Sequence, residues 1–349
     1  TIANLYTHTH LACGAAPNAW TFTLRKSGAD TSITTTHTDS SKDENDTSNS
    51  ASVVAGDLIS LKQVGTSNPS NTTFKFGFTF QGNSPYQSIV TGGFFEANMV
   101  VDGSTTYAGL TGHTVWDATL AYRDQVCPTS GTLKNFRVVT EETPAAGEVY
   151  AFTIYVDGSP TSLTTSVTEG LYTNNDAVNT ATLTAGCTVT VGQTSTNTPP
   201  LGGAIWACEF VADTAGESIH LGGNHANLDV TNDRFHWIGN SDLLETWTQT
   251  WDELRQVVIP ASFTAKKWYM ELRNNTAGTD NSFEFTTEIG AVGANLAITL
   301  ADAETSGNDL VNSDSLTAGN LYTVKCHPVS SPGANCRVWQ GMVLLDTSV

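Results

Sequence analysis

One short pattern occurs three times in this chain. It reads Asn45-Asp46-Thr47-Ser48-Asn49-Ser50, then Asn175-Asp176-Ala177-Val178-Asn179-Thr180, then Asn308-Asp309-Leu310-Val311-Asn312-Ser313. The copies lie 130 residues apart (Asp46 to Asp176) and then 133 (Asp176 to Asp309). Each is followed at the same distance by Ala-Gly, as Ala55-Gly56, Ala185-Gly186 and Ala318-Gly319. A fixed period of this length means tandem modules, and it constrains the fold more than any single residue does.

The repeat extends in both directions. Trp20-Thr21-Phe22 aligns with Tyr150-Ala151-Phe152 and with Phe283-Glu284-Phe285, and Phe74-Lys75-Phe76 aligns with Ala204-Ile205-Trp206 and Arg337-Val338-Trp339. These segments alternate large apolar with small or polar residues, the period of half-buried strands. No segment sustains a helical period. The alignment predicts that Phe22, Phe152 and Phe285 are buried at equivalent positions, and likewise Phe76, Trp206 and Trp339.

Two connectors precede the second and third cores and also match each other. Ser88-Ile89 and Gly92-Gly93 recur as Ser218-Ile219 and Gly222-Gly223, and Trp116-Asp117 recurs as Trp251-Asp252. One connector plus one core has the size of a single β-sandwich domain. The expected organisation is all-β, with tandem β-sandwich domains at 87–213 and 214–349. Residues 1–86 form a partial repeat that lacks its leading strands. Its open edge needs a cover. Three covers are open: a neighbouring subunit, the connector at 87–125 folding back, or residues upstream of Thr1. The first two leave one end of the chain open and predict head-to-tail self-association into a homopolymer.

Composition narrows the function classes. Acidic residues outnumber basic ones 34 to 15, giving a net charge of −19. Such a balance argues against nucleic acid and anionic membrane surfaces, which need a basic patch. No apolar stretch reaches the length of a membrane span. The polar residues are mostly Thr, Ser, Asn and Gly, which suits an extracellular β protein. Asn45, Asn71 and Asn274 open N-glycosylation sequons.

Six cysteines point to an oxidising location. Cys187 and Cys208 flank the last loop of the second core, and Cys326 and Cys336 flank that of the third. Paired residues in an antiparallel hairpin share a constant index sum. Shifted by the repeat, the two pairs agree within one position. Two disulfides, Cys187–Cys208 and Cys326–Cys336, are therefore expected. Cys13 and Cys127 are left to pair with each other, across subunits, or not at all.

The Asn-Asp-x-x-Asn pattern has two readings. Asp43, Asn45 and Asp46 supply oxygens for a calcium loop in the first core. The alternative, which the thinner acidic flanks of the other copies favour, is a turn in which side-chain oxygens accept loop amides. His8 and His10 share one face of a strand, but no third zinc ligand can be named beside them. Trp116, Trp237 and Trp251 are candidates for glycan contact, weighed against core packing. No nucleophile elbow, phosphate loop, His-Glu-x-x-His or Cys-x-x-Cys occurs. No cofactor and no enzymatic activity are expected.

The core pattern runs from Gly131-Thr132-Leu133 through Thr143-Pro144-Ala145-Ala146-Gly147 and Tyr150-Ala151-Phe152 to Asp157-Gly158. It resembles the C1q/TNF-like jelly-roll repeats of phage tail-fibre and virion-surface proteins and of secreted bacterial structural proteins. The resemblance implies a jelly-roll sandwich in each repeat. It also implies a non-enzymatic structural subunit of an extracellular fibre, filament or virion surface. The alternative is an adhesion module that binds a carbohydrate or a cell-surface receptor.

Overall fold

The computed structural model describes residues 1–95, 98–112, 116–224, 227–236, 241–242 and 256–348. Among these residues the chain is all-β, with a single 3-10 turn at Leu120–Tyr122 and no α-helix. No helix there is long and apolar enough to cross a membrane.

The first unit contains β1 (Ile2–Thr9), β2 (Gly14–Lys26), β3 (Ala29–Asp39), β4 (Asp43–Ala51), β5 (Ile59–Thr66) and β6 (Phe74–Phe80). The second has three connector strands, β7 (Gln87–Phe94), β8 (Thr106–Gly109) and β9 (Gln125–Val126). Its core is β10 (Gly131–Thr140), β11 (Val149–Val156), β12 (Ser159–Thr168), β13 (Thr173–Leu183), β14 (Thr188–Thr196) and β15 (Ala204–Ala212). In the third, the connector is β16 (Glu217–Asn224), β17 (Arg234–His236), β18 (Ser241–Asp242) and β19 (Val257–Val258). Its core is β20 (Phe263–Arg273), β21 (Gly278–Ile289), β22 (Val292–Asp302), β23 (Ser306–Leu316), β24 (Leu321–Val329) and β25 (Arg337–Leu345).

Each unit is two sheets packed face to face, antiparallel apart from the short parallel pair β16–β18. In the second unit the orders are β13-β10-β15-β7 and β12-β11-β14-β8, with β9 also pairing β14. The third repeats them as β23-β20-β25-β16-β18 and β22-β21-β24-β17, with β19 on β24. The core strands cross between sheets at every step except the second to the third, where β2–β3, β11–β12 and β21–β22 are paired hairpins within one sheet, and the interleaved order is that of a jelly roll. The connectors therefore complete the units that follow them: β7 lies on β15 and β8 on β14. The first unit has only β4-β1-β6 and β3-β2-β5.

Burial follows the two-residue period. Along β15 the pattern alternates without a break, with Ala204, Trp206, Cys208, Phe210 and Ala212 inward. Phe22, Phe152 and Phe285 are all fully buried, as the repeat requires. The second aromatic trio is different. Trp206 is buried, but Phe76 is 45% exposed. Trp339 is buried on the other face of its strand. Ser88 pairs with Phe210 and its counterpart Ser218 with Leu344, so the equivalent of Trp206 is Gln340. A slip of one residue reverses the face. Gln340 points inward and accepts a 3.0 Å hydrogen bond from Trp268 Nε1. Trp339 lies across Gly223, where an added Cβ would sit 1.8 Å from the indole ring.

The Ala-Gly steps are turns that end in bulges. Gly56, Gly186 and Gly319 have φ of +94°, +87° and +86°. In the second unit Cys187 N donates to Thr184 O, Gly186 N to Cys127 O and Cys127 N to Cys187 O. In the third, Asn320 N donates to Thr317 O, Gly319 N to Ile259 O and Ile259 N to Asn320 O. Only glycine adopts such a φ without strain at the first position of this bulge.

The three units close on one another in a ring. The Ala-Gly turn of each meets the next unit's first core strand. A Cβ built on Gly56 would lie 3.6 Å from Arg137, one on Gly186 3.5 Å from Tyr269, and one on Gly319 3.7 Å from Tyr6. Tyr6, Arg137 and Tyr269 are equivalent, since they pair with Gly77, Ala207 and Gly341. The same glycine face recurs in a second contact. An added Cβ at Gly341 would approach Val126 O to 1.9 Å, and one at Gly77 would approach Val258 O to 2.3 Å. A head-to-tail contact whose rotation closes makes a ring, and here the ring lies within one chain.

Candidate functional site

The repeated Asn-Asp motif lies inside β4, β13 and β23, not in a turn ahead of a strand: it is a bulge against the first core strand, where the aspartate side chain binds amides of its own and the neighbouring strand. Asp176 Oδ1 accepts the amides of Val178 (3.0 Å) and Asn179 (2.9 Å). Its Oδ2 accepts Thr164 N (3.1 Å) and Asn179 Nδ2 (2.9 Å). Asp46 and Asp309 hold the matching amides of β3 and β22, Thr34 N and Ala297 N. Burial alone would raise the Asp176 carboxyl, but these donors outweigh it and hold it at about 2. Asp46 and Asp309 are lowered in the same way. A carboxylate whose lone pairs face N–H donors is oriented for a bulge and not for a cation. The calcium candidates also diverge along β4. Asp43 and Asn45 are exposed on one face, Asp46 is buried on the other, and Asp43 accepts His8 Nδ1 at 2.7 Å.

Trp116 is half-buried on the core of the second unit, 5.5 Å from the Trp206 ring and 6.2 Å from Phe152. Its ring faces are engaged in packing. Trp237 and Trp251, the other candidates for glycan contact, lie outside the described residues. A shallow open groove runs over the Asp176 bulge, lined by Thr164, Ser166, Asn174, Ala177 and Val178.

The cysteines do not follow the hairpin expectation. Cys187, Cys208, Cys326 and Cys336 are all buried free thiols, so neither Cys187–Cys208 nor Cys326–Cys336 is a disulfide. The strands that flank each last loop, β14 and β15 or β24 and β25, belong to opposite sheets and share no ladder. A constant index sum requires a hairpin, and jelly-roll connectivity makes none between β14 and β15 or β24 and β25. Cys208 stands alone in the core, where burial pushes its thiol far up. Cys127 and Cys187 instead meet on the β9–β14 ladder.

Sequence reasoning also missed a charge cluster between the second and third units. Arg337 lies over the Tyr122 ring at 4.7 Å. Burial pushes the Asp124 carboxyl up to about 7, with Arg273 opposing and Glu271 and Asp157 adding to the rise. Burial also draws the neighbouring Arg123 guanidinium down to about 10 despite Asp117. Nearby, Glu217 is fully buried between Lys266 (2.9 Å) and Lys267 (2.7 Å), and accepts Thr129 Oγ1 at 2.6 Å. Nothing in the sequence spacing signals these groups, because they come together only when the units dock.

The flank of the first unit is open among the described residues. Strands β5 and β6 are sheet edges among the described residues, whereas their counterparts carry connector strands, β8 and β9 on β14 with β7 on β15, and β17 and β19 on β24 with β16 on β25. The sandwich interior shows through the gap. Phe74 is 36% and Phe76 45% exposed, although both lie on the inward face of β6. The core beside it is small and partly polar. Thr7 Oγ1 hydrogen-bonds His37 Nε2 and Thr35 Oγ1, both at 2.8 Å. The second unit has Val138 and Val167 where these strands carry Thr7 and His37.

No protein-family model matches the chain, and a search of curated proteins finds no similar sequence.

Proposed function

We propose that this protein is a non-enzymatic structural subunit of an extracellular fibre or virion-surface assembly, built from C1q/TNF-like jelly-roll repeats. The observation that carries this reading is the flank of the first unit. It offers two sheet edges, β5 and β6, with apolar side chains between them. An edge of this kind is a template for strands from another chain, with backbone hydrogen bonds supplying affinity and side-chain pockets supplying register. The ring already uses the head-to-tail faces inside the chain. A homopolymer would therefore join through the flank, where a neighbouring copy supplies the missing strands. The acidic, Thr-rich surface and the Asp-anchored bulges fit a scaffold outside the cell.

The test is electron microscopy and light scattering of the purified full chain, paired with a glycan-array screen. Regular assemblies and no reproducible glycan binding are the expected result. Monodisperse single chains that bind a defined glycan, with binding abolished by Trp116→Ala, would replace this reading with the adhesion module.

A further inference from the structure

The β9–β14 ladder pairs Thr188 with Val126 and Val189 with Gln125. One step further along the same register, Cys187 stands opposite Cys127. Two hydrogen bonds fix this step, Cys127 N to Cys187 O and Gly186 N to Cys127 O, both 2.8 Å. Directly opposed residues of an antiparallel pair project to the same face with Cβ atoms roughly 4.5–5.5 Å apart. A disulfide needs roughly 3.5–4.5 Å, so a small local closure suffices. The Cys127 thiol donates to Thr129 O at 3.1 Å, and the two thiols are close enough to influence each other, Cys127 being shifted up and Cys187 down. In the third unit the same two positions are Ile259 and Asn320. The thiol pair is therefore not a requirement of the turn.

We propose that Cys127 and Cys187 are an oxidisable pair that closes to a disulfide by exchange with a small-molecule disulfide such as oxidised glutathione. Cys187 is the entry point, since it is 5% exposed at the turn while Cys127 is fully enclosed. The Cys187 thiolate attacks one sulfur of the small disulfide, forms a mixed disulfide and releases one thiolate. Cys127 then loses its proton to water, and its thiolate attacks Cys187 Sγ and expels the second thiolate. Two protein thiols are oxidised by two electrons, and one small disulfide is reduced to two thiols. The bond staples the connector to the core it completes. It also lies at the Val126–Gly341 contact with the third unit.

The experiment treats the native full chain with oxidised glutathione at mildly alkaline pH, alkylates free thiols after unfolding, and maps peptides without reduction. A cross-link joining the peptides of Cys127 and Cys187 is expected, with the chain lighter by two hydrogens. Cys208→Ser should leave that product unchanged, whereas Cys127→Ser should stop at a glutathione adduct on Cys187. A Cys187–Cys208 cross-link overturns the proposal. So does a wild-type chain that carries a persistent glutathione adduct on Cys187, or one in which both thiols stay free.

Discussion

Lys75 Nζ donates a 2.8 Å hydrogen bond to Gln256 Oε1, joining residues 181 apart in sequence and the first unit to the third. Gln256 is 1% exposed, so this contact sits inside the closing joint of the ring. The same joint brings Gly77 against Val258 and Gly319 against Tyr6. Glycine is required at 77 because a Cβ there would meet a backbone carbonyl, not a side chain that can move.

Gly77→Val should therefore open the ring at this joint. The added side chain meets Val258 O and cannot be relieved by rotamer changes alone, so a loss of about 1–3 kcal/mol is expected. Hydrogen exchange should show β6 and β19 losing protection together while β11 and β12 keep theirs. Unchanged protection across β19 would mean that the units do not hold one another in solution.

The Asp124 carboxyl gives the joint between the second and third units a pH dependence. Its value in the folded chain is about 7, against an ordinary 3.8. The folded state therefore binds the proton more tightly, and this group favours folding most below the ordinary value. That contribution is lost as pH rises towards about 7. Asp124→Asn keeps the shape without the charge. Its melting temperature should exceed that of the wild type above neutral pH, and the gap should shrink as pH falls towards 4. A constant difference across that range would remove Asp124 as its source.

Glu217 acts with the opposite sign. Burial alone would raise it, but hydrogen bonds from Lys267, Thr129 and Lys266 outweigh burial and hold it below the ordinary carboxylate range. Its stabilisation is present above that ordinary value and is lost as pH falls through the lowered one. Glu217→Gln should cost about 3–5 kcal/mol at neutral pH, because two lysines are left without their buried partner. Urea midpoints at pH 7 and at pH 3 measure it, and the penalty should be smaller at the lower pH.

Each repeated bulge hangs on one carboxylate. Asp176→Ala strips the acceptor from three backbone amides and from Asn179 Nδ2. A loss of about 2–3 kcal/mol follows for charge-assisted bonds of this kind, read by chemical denaturation. Asp309→Ala should behave alike in the third unit. Wild-type stability in both variants would show that solvent replaces the carboxylate fully.

The parts of this fold that were legible in the sequence are those set by local chemistry. Asp46, Asp176 and Asp309 mark where side-chain oxygens accept backbone amides, and the Ala-Gly steps mark bulges that only a positive φ can make. Phe22, Phe152 and Phe285 mark the inner face. What depended on the partner strand was not legible. Trp339 aligned with Trp206 by residue type, yet the register places it on the reverse face, and Gln340 fills the core position. The cysteine partners are not legible either, because neighbours in sequence, β14 and β15, sit in different sheets. The ring was invisible for a further reason: Tyr6, Arg137 and Tyr269 occupy one equivalent position but share no chemistry that a repeat search could detect.

The flank of the first unit supplies the most direct test of assembly. Phe76 points inward from β6 yet is 45% exposed, because no strand covers β5 or β6 among the described residues. A chain that docks there must bury the exposed part of this ring, worth about 1 kcal/mol of hydrophobic stabilisation. Phe76→Lys would place a charge in that contact. It should cost the isolated chain little, since nearly half of the side chain is already in water. Light scattering and microscopy of the variant should then show single chains where the wild type forms assemblies, with an unchanged melting temperature for the dispersed protein. Glu284→Lys, exposed on β21 of the third unit and away from β5 and β6, serves as the control for altered surface charge. If Phe76→Lys assembles as the wild type does, the joint lies elsewhere and the strand-completion route is wrong.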